Sequence, residues 1–296
     1  MTNAFSIHNL VKTYPDFTLG PLDLNLAPGT VLGYVGPNGS GKSTTLHCLV
    51  GLVKSDGGEM RVFDRVNDPN QPAWKLDIGY VGDEHVFYEN WSGEKNLKFL
   101  AQFYPNWSDK LVADLAKRFN LSLTKPAKEL SGGNRVKLAL IAALAHSPKL
   151  LLLDEPTSGL DPVVRAEVLD VLFEVLEDGE RAIFYSTHIL SDISRLADEL
   201  AFLDNGQIKL RAAKEDLAEQ WRKISFRFSG NNFKLEATAS HKHEGMDHQV
   251  ISFNHEVTLR QLGEMGAENV QAHRLGIDEI AVQILKGSSA DLLSAN

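Results

Sequence analysis

Val31-Leu32-Gly33-Tyr34-Val35-Gly36-Pro37-Asn38-Gly39-Ser40-Gly41-Lys42-Ser43-Thr44 is the stretch on which the fold turns. It opens with a short apolar, β-prone run and passes through a glycine-rich turn into a helical pattern from about Ser43 to Val50. Gly36 to Thr44 fits the P-loop pattern GxxxxGK[ST], in the order strand, turn, helix that the pattern requires. The physics needs that order. Consecutive backbone N–H groups make a concave anion site, and the positive end of the following helix reinforces it. Glycines let the backbone approach phosphates, Lys42 reaches the β- and γ-phosphates, and the Ser43 hydroxyl can ligate Mg²⁺. A phosphate cradle is therefore expected over Gly36, Pro37, Asn38, Gly39, Ser40, Gly41, Lys42, Ser43 and Thr44.

Working outward, Leu150 to Leu153 reads as a buried strand ending in the carboxylates Asp154 and Glu155, and Ala182 to Tyr185 reads as another. Short apolar runs separated by helical patterns predict a largely parallel sheet covered by helices. One carboxylate can hold Mg²⁺ and the next can orient or deprotonate a water, although many strands simply end in acidic residues. Asp154 lies 112 residues after Lys42, compatible with a neighbouring strand of one sheet. Between the two lies a helix-rich insertion, with Ser108 as N-cap of a helix whose apolar face is Leu111, Leu115 and Phe119. Leu130-Ser131-Gly132-Gly133-Asn134 precedes another helix. By itself this is a capped helix start or a second anion cradle.

Taken together, these motifs resemble the ATP-binding cassette (ABC) ATPases from residue 5 to about 210. The resemblance makes Gly36–Thr44 the Walker A loop, Leu130–Asn134 the signature and Leu150–Glu155 Walker B. Ser158-Gly159-Leu160-Asp161 looks like the D-loop, and Ser186-Thr187-His188 like the switch-histidine motif. It further implies that Tyr14 stacks on adenine and that two cassettes pack head to tail. Ser131, Gly132 and Gly133 would then touch the nucleotide bound by the partner. Two departures stand out. Where the family places a glutamine in a pattern like GYxPQ, Ile78-Gly79-Tyr80-Val81-Gly82-Asp83 ends in Gly82 and Asp83, and Asn134 replaces the usual glutamine after the signature glycines. Asp83 could bind Mg²⁺ in the glutamine's place, or could face solvent while Glu84 or a water serves.

The chain has 296 residues with 30 Lys+Arg against 39 Asp+Glu, a net charge of −9, which argues against broad nucleic-acid binding. One cysteine, Cys48, excludes an internal disulfide framework and fits a reducing compartment; it reads as a small buried hydrophobe. The longest apolar run, Leu138 to Ala145, is too short to span a bilayer, and the N-terminus lacks a signal-peptide layout, so a soluble cytosolic protein is expected. The texture changes near Arg211. Ile224–Phe228, Phe233–Ala237 and Val250–Phe253 read as strands, followed by helical Leu259–Met265, strand-like Asn269–His273 and helical Ile277–Leu285. His241, His243 and His248 read as an exposed hairpin loop rather than a metal site, because no Cys or carboxylate pattern accompanies them. Trp74, Trp91, Trp107 and Trp221 are too scattered for a stacking platform and read as packing residues.

The expectation is an α/β P-loop NTPase of the ABC type, with residues 1–212 as the nucleotide-binding domain (helical insertion about 84–148) and 213–296 as a small α+β appendage. It binds ATP and Mg²⁺, the latter through Ser43, Asp83 and Asp154, and hydrolyses ATP with Glu155, His188 and Lys42 as catalytic groups. The resemblance extends to ABC-2-type exporters. It implies a separate transmembrane permease, a second cassette in a homodimer or heterodimer, no nucleic-acid partner, and attachment to the inner face of the membrane through the permease. A soluble ABC ATPase acting on nucleic acid or ribosomes, and an ATP switch without turnover, are the competing readings.

Overall fold

A computed structural model describes residues 2–68, 70–177, 179–230 and 233–287. In chain order, β1 (Phe5–Tyr14), β2 (Phe17–Leu26) and β3 (Val31–Val35) lead into α1 (Lys42–Leu49). Then come β4 (Gly57–Val62), β5 (Arg65–Val66), β6 (Ile78–Val81), α2 (Gly93–Ala101), α3 (Asp109–Arg118) and α4 (Gly132–Leu144). β7 (Leu150–Asp154), α5 (Pro162–Leu176), β8 (Ala182–Thr187), α6 (Leu190–Leu196), β9 (Glu199–Asp204) and β10 (Gln207–Ala213) follow. The C-terminal part adds α7 (Lys214–Gln220), β11 (Arg222–Arg227), β12 (Thr238–Glu244), β13 (Asp247–Ser252), α8 (His255–Met265), β14 (Glu268–Arg274) and α9 (Ile277–Lys286).

The central sheet runs β10-β9-β3-β8-β7-β6, parallel except for the β9–β10 hairpin at its edge. Every residue of β3, β7 and β8 is buried, as strands covered on both faces require. Successive side chains serve opposite faces. Leu32, Tyr34, Leu150, Leu152 and Phe184 pack with α1 and the antiparallel sheet β2-β1-β4-β5. Leu151, Leu153, Ile183, Tyr185 and Phe202 pack on the other side with α4, α5 and α6. The expected adjacency of β3 and β7 is corrected by this order. β8 lies between them, so the P-loop and the Asp154-Glu155 pair are two strands apart.

Capping sets where the helices of the insertion begin. The hydroxyls of Ser92, Ser108 and Ser131 accept from the N–H groups of Lys95, Leu111 and Asn134, each cap contributing about 1 kcal/mol. Phe119 is fully buried and Leu115 nearly so, as the four-residue spacing predicts. Trp74 and Trp221 are core residues, whereas Trp91 stacks on Tyr88 with centroids 4.2 Å apart. Cys48 is buried, which pushes its thiol up to about 11.

Residues 222–274 build a second antiparallel sheet, β12-β13-β11-β14, over a small core of Ile224, Phe226, Leu235, Val250 and Leu262. Two readings need correction here. Phe233–Ala237 forms no strand, because Phe233 and Leu235 turn inward onto this core and the N–H of Glu236 is held by Gln261 Oε1. The histidines are not in a loop. They stand on paired strands, where His243 faces His248 in register, and His248 is only 5% exposed. Its Nε2 donates to the Phe228 carbonyl at 3.1 Å, leaving Nδ1 to accept from His241 Nε2 at 3.0 Å. Among the described residues no group of three His, Cys, Asp or Glu side chains could hold a metal. The end of the expected appendage, residues 288–296, lies outside the described residues.

Candidate functional site

The path of the loop after β3 demands glycine. A Cβ on Gly36 would sit 2.3 Å from the Leu203 carbonyl oxygen, and Gly41, at φ +109°, would place one 2.6 Å from Leu19 Cδ1. Gly41 is also the N-cap of α1 and supplies no side-chain cap, so the first turn directs its N–H groups at whatever lies over the loop. Over it is a cavity of about 550 Å³, ordinary for a small-molecule site. Asn38, Gly39, Gly41, Lys42, Ser43 and Thr44 line it, together with Tyr14, Phe17, Asp83, Glu155, Ser158 and His188.

The charged side chains are organised around Glu155. Lys42, 5% exposed, donates to the carbonyls of Gly36 (2.9 Å) and Pro37 (3.2 Å), and its Nζ lies 3.2 Å from Glu155 Oε1. Glu155 Oε2 accepts from the backbone N–H of His188 (3.3 Å) and is 2.8 Å from His188 Nδ1. Glu155 itself is in the left-handed region at φ +50°, a conformation that costs a non-glycine residue about 1–2 kcal/mol. That turn, together with the bond from its N–H to the Ser186 carbonyl (3.0 Å), swings the carboxylate off the end of β7 toward the P-loop.

Asp154 is fully buried. Its Oδ1 accepts from Ser186 Oγ at 2.5 Å, while Oδ2 has no protein partner. A buried carboxylate oxygen left unpaired, on a cavity that Ser43 also lines, offers hard oxygen donors that suit Mg²⁺. Ser43, Asp83 and Asp154 also line an adjoining cavity of about 590 Å³, which brings the three expected metal residues to one place. Asp83 is exposed there. Burial, and secondarily the charges of Asp154 and Asp83, push the Tyr80 hydroxyl well above its usual range, so it stays protonated. Gly36, Pro37 and Ser40 belong to the same loop but do not line the cavity, Gly36 and Ser40 being buried and Pro37 exposed. Ser131, Gly132 and Gly133 stand elsewhere, at the start of α4, with Ser131 and Gly132 exposed and clear of this cavity.

Sequence reasoning missed Phe17 and Ser158 as cavity residues. Phe17 is the register partner of Tyr14 across the β1–β2 turn, so an aromatic on each side of that turn was the available signal. It also missed a buried cluster beneath the site. Asp192, 1% exposed, accepts from Thr157 Oγ1 and Arg165 Nε, both at 2.5 Å, and the Tyr185 hydroxyl is 3.0 Å from Thr157 Oγ1. No local pattern in the sequence announces these pairings.

Comparison with known proteins agrees with this geometry. Residues 19–158 match the family model described as "ABC transporter". The chain is 30% identical over 210 residues to the ABC transporter ATP-binding protein YtrB of Bacillus subtilis, covering 71% of this chain and 72% of that one. It is 28% identical over 297 residues to a fluoroquinolones export ATP-binding protein of Mycobacterium tuberculosis, covering 96% and 93%. Among solved structures, the ATP-binding subunit of an ABC transporter superposes with a TM-score of 0.67 at 25% identity, covering 73% of this chain and 92% of that one. A P-loop facing a strand-end carboxylate pair, on a sheet shared with these relatives, places the chain in the family of ABC transporter ATP-binding proteins.

Proposed function

We propose that this ATPase energises an exporter. It does so through a separate membrane subunit and a second cassette, and Lys42, Glu155 and His188 carry the hydrolysis. The observation behind the chemistry is the meeting of those three side chains over the P-loop. Glu155 is the group placed to orient a water and accept its proton, and His188 holds that carboxylate through Nδ1 and the backbone N–H. Lys42 neutralises phosphate charge when it turns from Glu155 toward the β- and γ-phosphates. Mg²⁺, held by Ser43 and Asp154 with Asp83 nearby, supplies further charge neutralisation when bound. Tyr14 and Phe17 offer ring faces to the base. Ser131, Gly132 and Gly133 complete the site of the partner cassette, which accords with their exposure away from the chain's own cavity.

Export as the direction rests on relatives such as the fluoroquinolones export protein, matched over 96% of the chain, and we read residues 213–296 as an accessory α+β unit. Among the described residues no helix is long and apolar enough to cross a membrane, so translocation falls to another subunit. The test is steady-state phosphate release with and without Mg²⁺, then reconstitution with a polytopic membrane protein encoded beside this gene. ATP-dependent drug accumulation in inside-out vesicles supports the exporter. Phosphate release with no membrane protein that binds the chain refutes it.

A further inference from the structure

We propose that Asp192 is a positioning residue for hydrolysis. From a buried pocket it ties the segment after Glu155 to the segment after His188, and so sets the distance between the two. Thr157 lies two residues beyond Glu155. Asp192 lies four beyond His188, in the first turn of α6. Pairing of β7 with β8 and the bond from the Glu155 N–H to the Ser186 carbonyl fix the strand ends, Glu155 Oε2 meets His188, and Asp192 anchors the chain on the far side of each residue.

The anchor is built in one direction. The single proton of Thr157 Oγ1 goes to Asp192 Oδ2 at 2.5 Å, so the Tyr185 hydroxyl, 3.0 Å away, donates to Thr157. Burial keeps that tyrosine protonated and able to donate. The other carboxylate oxygen, Oδ1, takes the guanidinium of Arg165 through Nε at 2.5 Å, and Arg165 also donates to Ser191 Oγ at 2.6 Å. Tyr185 is on β8, three residues before His188, and Arg165 is on α5, which begins just after the Ser158–Asp161 turn. One carboxylate thus joins β8, the loop after β7, α5 and α6. A buried carboxylate taking two charge-assisted or short hydrogen bonds holds its neighbours more firmly than an apolar contact could, because losing either bond leaves charge buried and unpaired.

The inference rests on Glu155 and His188 acting in hydrolysis, and the test separates the two claims. Three measurements are made on the full chain: kcat, KM for ATP, and equilibrium nucleotide affinity. Thr157→Val removes only the linking hydroxyl and leaves the Asp192–Arg165 pair in place, so it should fold. It is expected to lower kcat about tenfold with KM and affinity within twofold of the parent, while Thr157→Ser restores kcat. Asp192→Asn is expected to lower kcat by about tenfold to a hundredfold with the same split. Combined with Glu155→Gln, either change should add almost nothing, because a positioning residue acts through the group it positions. The inference is overturned if Thr157→Val and Asp192→Asn retain parent kcat, if KM rises and affinity falls along with kcat, or if their losses multiply fully with that of Glu155→Gln. If Glu155→Gln itself turns over at the parent rate, the underlying assignment is what fails.

Discussion

Glu155→Gln keeps side-chain volume and removes one charge from the point where Lys42 and His188 converge, so it separates binding from turnover. The carboxylate sits 3.2 Å from the lysine nitrogen. At an effective dielectric of about 20, the attraction across that distance is about 5 kcal/mol before desolvation. Desolvation and the carbonyls of Gly36 and Pro37, which keep hold of Lys42, offset most of it, leaving a net of about 1 kcal/mol. Phosphate competes with Glu155 for that lysine, so removing the competitor should tighten ATP binding by about fivefold. Turnover should move the other way. Losing a positioned proton acceptor lowers hydrolysis by about 10²–10⁴-fold, or about 3–5 kcal/mol of barrier. The paired assays are equilibrium binding by fluorescent-nucleotide titration and single-turnover phosphate release. Unchanged hydrolysis would remove Glu155 as base, and weaker binding would show that the Lys42–Glu155 pair does not compete with phosphate.

Lys42→Ala should weaken nucleotide binding by the isolated chain, whereas Ser131→Arg should spare it and block ATP-driven pairing of cassettes, read by sedimentation; equal loss of binding in both refutes a signature acting across an interface. Asp83→Gln should make ATP affinity less dependent on Mg²⁺ and tighter without it, since it removes a carboxylate that lines one cavity with Glu155 and the adjoining one with Asp154. Superimposable Mg²⁺ titrations of parent and variant would exclude Asp83 as a metal ligand. His146 is 3% exposed, stacked on Tyr104 at 4.0 Å and bonded to the Ile78 carbonyl at 2.9 Å, and burial holds it below the usual histidine range. The folded state therefore binds fewer protons there, and stability present above about pH 6.5 is lost as pH falls. Burial shifts His85 and His241 the same way, so melting temperature should drop between about pH 7.5 and 5.5, and His146→Gln should flatten part of that drop.

What the sequence disclosed was what depends on near neighbours. The β3–loop–α1 unit, the Ser108 and Ser131 caps and the apolar run of β7 are each specified by residues close in sequence, and each stands where the pattern puts it. Strand order was hidden, because Lys42 and Asp154 give no sign that β8 will lie between their strands. The Thr157–Asp192–Arg165 cluster was hidden for the same reason, since its members meet only once α5 and α6 pack on one face of the sheet. Phe233–Ala237 misled differently. Its alternation is real, but the residues it points inward fill the small core from a turn, and alternation reports burial rather than extended hydrogen bonding.

The change of texture near Arg211 brings in a second small core around Ile224 and Leu262, but the elements on either side of that core pack into the large one. β10 ends at Ala213, α7 starts at once, and Leu217 and Trp221 are already buried in the cluster that contains Leu200 and Phe202 of β9. The chain then leaves to build the β11–β14 sheet and returns in α9, whose Ile280, Ala281 and Ile284 are fully buried in that same cluster, beside Ile193 and Leu196 of α6. Burying two isoleucines contributes about 3–6 kcal/mol, comparable with the whole net stability of a typical domain. A chain cut near residue 213 would uncover Ile193, Leu196 and Leu200 together, on the helix that begins two residues after His188 and on the strand that follows it. A hinge needs an interface that can open at low cost. Here the contact is made by side chains of the cluster that covers the helical face of the central sheet, with α9 packed on α6 and β9 and α7 packed on β10 and α9.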